Sequence, residues 1–80
     1  MTRWKRTIKI KHLFDPDKPF EQVRDAVVAV LKADRAWLQD EDYTAVVDEM
    51  AETDTVHYFD ACLDVLYDWA DAERVWIGGY

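Results

Sequence analysis

From Trp4 to Phe14 the chain alternates, with Trp4, Ile8, Ile10 and Phe14 at even positions and Lys5, Lys9 and Lys11 at odd ones. A period of two marks a half-buried strand, so Trp4, Ile8 and Ile10 are expected to face a core and the three lysines to face water. "FDPDKPFE" follows, holding both prolines, and it breaks the strand. Asp17 with Pro19 in the first turn reads as a helix start. Beyond it the period changes to three and four: Phe20, Val23, Val27, Val30 and Leu31 predict a helix over about 19–34. Tyr43, Val46, Val47 and Met50 predict a second over about 42–52, with Asp40 or Asp42 as its cap. "ETDT" closes that helix and opens a third over about 55–73, capped by Asp54 or Thr55. The chain then runs into "RVWIGGY", a short β-branched and aromatic stretch stopped by two glycines, which reads as a strand.

The third helix carries the most information. At about 100° per residue, Val56, Phe59, Leu63, Leu66 and Ala70 centre one apolar arc. Tyr58, Cys62, Val65 and Trp69 widen it to more than half the circumference, which calls for neighbours on two sides. The remaining arc is an acidic ridge of Asp60, Asp64, Asp68 and Asp71, joined by His57.

These elements predict one α+β domain over residues 1–80 in the order β-α-α-α-β. The N- and C-terminal strands form a two-stranded sheet packed against three helices. Val75–Gly78 is expected to pair with Ile8–Leu13, Val75 and Ile77 facing inward and Trp76 lying outside beside the lysines. Parallel and antiparallel pairing both remain open. Two strands alone are marginal, so the helices must cover one face. The edges left over make a symmetric homodimer a further expectation, either strand to strand or through the Tyr58, Val65 and Trp69 side of the third helix.

Composition sharpens this picture. Eighty residues bury only about 60% of the surface an unfolded chain exposes, so the core must be rich. Half the residues are apolar, with four Trp, four Tyr and three Phe, and each buried aromatic removes roughly 150–250 Å² from water. Cys62 is the only cysteine, which excludes an intramolecular disulfide and suits a reducing cytoplasm. Lys9 and Lys11 interrupt the apolar run that a secretory signal needs. No stretch approaches the roughly 18 uninterrupted apolar residues of a membrane span, so no membrane partner is expected.

Charge is distributed unevenly. The formal net charge is −7, yet "RWKRTIKIKHLF" at residues 3–14 holds five of the ten Lys and Arg and no acid. All seventeen acids fall after it. A basic strand therefore faces an acidic remainder.

At its two ends, "RWKRTIKIKHLF" (3–14) and "LYDWADAERVWIGG" (66–79), the chain resembles a family of small actinobacteriophage proteins of unknown function. The resemblance implies a protein made inside an infected bacterial cell, outside the virion, with a host-directed or phage-regulatory role. It supplies no catalytic residues to carry over.

Catalytic, metal and cofactor chemistry find little to stand on. His57, Asp60 and Asp64 share a helical face, but no second helix supplies a matching set of ligands, so a solvated acidic face is the expectation. The chain has no Ser, and Cys62 sits among apolar residues as a core thiol. With both glycines at the tail there is no phosphate-cradling loop. No enzyme, metal or cofactor is therefore expected.

Binding surfaces remain. The first reading is a protein-interaction module that engages a host or phage protein through Asp60, Asp64, Asp68 and Asp71, or through a sheet edge. The second is nucleic-acid binding by Lys5, Lys9 and Lys11 with Trp76 as a stacking surface, against which the adjoining acids repel phosphate. The third takes the ridge as a DNA mimic that blocks a host DNA-binding protein, since successive Asp residues four apart rise about 6 Å.

Overall fold

The computed structural model describes residues 6–34 and 40–79. Strand β1 (Arg6–Lys9) leads through a 3₁₀ turn at Lys11–Leu13 into helix α1 (Phe20–Ala33). Helices α2 (Glu41–Glu52) and α3 (Val56–Ala72) follow, and strand β2 (Val75–Gly79) completes the order β-α-α-α-β. The two strands form one parallel sheet; α1 and α3 pack against it and α2 packs on both of those helices, in an α+β arrangement. A parallel pair needs a long crossover between its strands, and here the whole three-helix segment is that crossover.

Local chemistry sets the helix ends. Asp40 caps α2 by accepting a hydrogen bond from the Asp42 amide at 2.8 Å. Pro19, rather than Asp17, is the residue before α1, and no side chain caps that helix. Thr55 occupies the cap position of α3, where its own amide donates to the Thr53 hydroxyl at 3.1 Å. No described helix is long and apolar enough to cross a membrane.

The core follows the helical stripes. Val23, Val27, Val28 and Leu31 from α1 meet Tyr43, Val47 and Met50 from α2 and Phe59, Cys62, Leu63, Leu66 and Ala70 from α3. Ile8, Ile10, Val75 and Ile77 cover it from the sheet. Val56 departs from its expected place and is half exposed in the first turn of α3.

The N-terminal strand ends earlier than the alternation predicts. Arg6, Thr7, Ile8 and Lys9 stand opposite Val75, Trp76, Ile77 and Gly79, with a bulge between Ile8 and Lys9, so pairing involves Arg6–Lys9 and not Ile8–Leu13. At Ile10, with ψ of −14°, the backbone leaves the extended conformation. The Leu13 amide instead donates to the Ile10 carbonyl at 2.9 Å, closing the 3₁₀ turn. Ile10 stays fully buried, because the turn begins only after its side chain has entered the core. Gly78 supplies the bulge, and its φ of +117° belongs to the region glycine enters without strain. Trp4 and Lys5 lie outside the described residues.

Candidate interaction surface

The ridge is built by helical spacing alone. Asp60, Asp64, Asp68 and Asp71 are all exposed along one strip of α3, opposite Phe59, Leu63, Leu66 and Ala70. None of the four makes a salt bridge among the described residues. Like charges three and four apart on a helix repel mildly, so the strip carries a small stability cost. Its last turn adds to the negative potential. Asp71 lies at the carbonyl end of α3, where the helix dipole is itself negative, and no basic residue occupies that turn.

The C-terminal half of the ridge borders a cleft. A cavity of about 400 Å³ runs beside β2, lined by Val75, Trp76, Ile77 and Gly78 on the strand, by Tyr67, Asp68 and Asp71 on α3, and by Lys11. Two sets of residues that sequence reasoning assigned to rival sites therefore meet here: Asp68 and Asp71 from the ridge, Lys11 and Trp76 from the basic surface. Asp60 and Asp64 continue the strip away from the cleft.

The row of lysines does not survive as a row. Lys9 lines a shallow groove along the other edge of the sheet with Arg6, Thr7, Val30 and Asp34. Arg6 there pairs with Asp34 at the end of α1. Lys11, carried by the 3₁₀ turn, lies instead over β2, its Cε 3.7 Å from the point a Cβ on Gly78 would occupy. The break comes where the strand stops, since period-two alternation aligns side chains only while the backbone stays extended. Lys5 lies outside the described residues. Trp76 is exposed on the outer face as expected.

Tyr67 is the lining residue that sequence reasoning missed. It stands three residues after Asp64 and four before Asp71, a helical spacing that already marked it as a neighbour of the ridge. Burial raises its phenol above the usual range, and the Asp64 and Asp60 charges raise it further. The ring is thus a neutral hydroxyl-bearing surface beside carboxylates.

Elsewhere the titratable groups serve the fold. Among the described residues no cluster of three or more His, Cys, Asp or Glu side chains is placed to hold a metal ion. Cys62 is buried, and desolvation pushes its thiol up, opposed by the neighbouring Tyr58 hydroxyl. On the other flank of α3, the Tyr58 hydroxyl donates to Glu49 of α2. Further along, Trp69 packs on Tyr43 with ring centroids 5.4 Å apart. Helix α2 therefore covers Trp69 on the second apolar arc, leaving Tyr58 and Val65 exposed.

Tyr43 gives this packing a pH dependence. Burial, aided by a hydrogen bond with Glu73, pushes its phenol up to about 12. The native state therefore favours the neutral phenol more than the unfolded chain does. Its contribution to stability is fully present below the unfolded value of about 10 and is lost as pH rises towards about 12. In urea unfolding followed across that window, the wild type is expected to weaken more steeply than Tyr43→Phe. Parallel curves for the two proteins would remove Tyr43 from the alkaline transition.

No family model, curated protein or solved structure matches the chain.

Proposed function

We propose that this protein is a non-enzymatic interaction module that engages a host or phage protein through the acidic ridge of α3. The observation that carries the reading is the set of four exposed carboxylates, Asp60, Asp64, Asp68 and Asp71, without a salt-bridge partner among the described residues. Such a strip costs the isolated fold a little and contributes nothing to its core. A basic partner surface turns that repulsion into attraction, which raises the association rate and selects the partner. The resemblance of the chain ends to actinobacteriophage proteins supports the cytoplasm of an infected cell as the setting.

Nucleic-acid binding through Lys5, Lys9, Lys11 and Trp76 is less well supported, because Lys9 and Lys11 diverge and Asp68 and Asp71 border the same cleft as Lys11 and Trp76.

The test is affinity capture from actinobacterial lysate with the wild type and with a variant carrying Asn at all four ridge positions. A protein held by the wild type and lost from the variant is the expected result. Equal retention by both would exclude the ridge as the binding surface.

A further inference from the structure

The two edges of the sheet are unlike. Strand β1 carries Arg6 and Lys9, and charged side chains on an edge are a common protection against pairing with another chain. Strand β2 reads Val-Trp-Ile-Gly-Gly, with no charge and no proline. Among the described residues the sheet holds only these two strands, so the side of β2 away from β1 has no third strand beside it. Up to the bulge at Gly78 this edge, Val75–Ile77, is apolar and β-prone, and such an edge is a template for strand addition.

What lies along that side is the cleft of about 400 Å³. Its walls decide the chemistry of an occupant. Apolar surface comes from Val75, Trp76, Ile77 and the Tyr67 ring, and charge comes from Asp68 and Asp71 against one cation, Lys11. The negative end of α3 points the same way, having no basic residue in its last turn. In an extended chain laid beside β2, alternate side chains face the helical layer, where these carboxylates stand, and the others face the side of the sheet that carries Trp76. Cations in the first set meet Asp68 and Asp71. A cation in the second set is within the chemistry of an indole face.

We propose that the cleft between β2 and the C-terminal half of α3 takes an extended basic segment of a partner protein, added beside β2 as a third strand. This deepens the ridge reading and rests on it: Asp68 and Asp71 are the recognising pair, and Asp60 and Asp64 serve encounter. Backbone hydrogen bonds to β2 hold the segment, and the alternating cations select it.

The probe is an end-blocked, fluorescein-labelled peptide of alternating Val and Arg, seven residues long, titrated by anisotropy against the full chain. Backbone amide shifts locate its binding. Shifts concentrated in Val75–Gly79, with affinity about tenfold weaker in Asp68→Asn/Asp71→Asn, are expected, a loss equivalent to one decade in the dissociation constant. Glu41→Gln/Glu52→Gln, exposed acids of α2 outside both the ridge and the cleft, should bind within about twofold of the wild type at physiological salt, where separated surface charges are screened. A peptide N-methylated at alternate residues, unable to pair along one edge, should bind no better than one with Glu in place of Arg.

Equal binding of the N-methylated and parent peptides would overturn strand addition, leaving plain electrostatic attraction. So would the absence of binding, or shifts confined to the helices. A sedimenting dimer that the peptide cannot dissociate would assign the edge to a second copy of this chain and overturn the proposal too. Failure of the peptide, with the lysate partner still lost from the ridge variant, removes the strand-addition mode and keeps the ridge. Retention of the lysate partner by the ridge variant removes the ridge reading itself.

Discussion

Phe59→Ala is expected to destabilise the domain by about 3–5 kcal/mol, the range for emptying a buried aromatic site. Phe59 is 1% exposed and is among the largest fully buried side chains. Its ring meets Phe20 edge-on, with centroids 5.4 Å apart and planes at 85°, so the substitution removes an aromatic pair as well as apolar area. Phe20 begins α1 and Phe59 lies in α3, so the lost contact also ties two helices together. Small proteins retain about 0.05–0.15 kcal/mol per residue, or roughly 4–12 kcal/mol at this length, and the loss therefore approaches the whole stability. Urea unfolding is the measurement. Phe59→Leu, which keeps much of the volume, should lose far less than Phe59→Ala. A midpoint unmoved by the alanine would mean that α3 presents a different face to the core.

Removing residues 75–80 has the second large effect. Val75 is 9% and Ile77 6% exposed, and they stand opposite Arg6 and Ile8 in the sheet. Without β2 the first strand loses its only sheet partner among the described residues. Ile8 and Ile10, now 4% and 0% exposed, would face water. A lone strand cannot satisfy its backbone or cover its apolar face. The truncated chain is expected to collect in aggregates or to show no cooperative transition by circular dichroism. A soluble truncation that unfolds cooperatively would show that the helices hold the fold without β2.

The two predictions probe different kinds of information. The phase of α3 was legible in the chain, because a helix displays its buried face as a spacing of three and four. Phe59, Cys62, Leu63, Leu66 and Ala70 are buried on that arc, and the four Asp residues stand exposed on the opposite one. Val56 failed the same rule. It sits at the first residue of α3, where no neighbouring element reaches over it, and periodicity carries no record of where a neighbour ends.

The strand was legible in kind and wrong in extent. Alternation from Trp4 to Phe14 marks side chains that differ in polarity, but a strand continues only while another backbone offers hydrogen bonds. Here the backbone leaves the extended conformation at Ile10, so β1 ends at Lys9, and Lys11 turns away from the line the lysines were expected to form.

Element type, element order, the inward faces of the helices and the exposed acidic strip were set by local periodicity and charge, which depend on the covalent chain alone. The parallel sense of the sheet, its register and bulge, and the cover that α2 places over Trp69 arose only in the tertiary structure. So did the cleft that gathers Lys11, Tyr67, Asp68, Asp71 and Trp76. Each of these is a relation between segments far apart in the chain, decided by which backbones and faces meet once the core closes. Local patterning limits those meetings without choosing among them, because the same apolar stripes bury equally well in more than one arrangement until the connections and strand pairing select one.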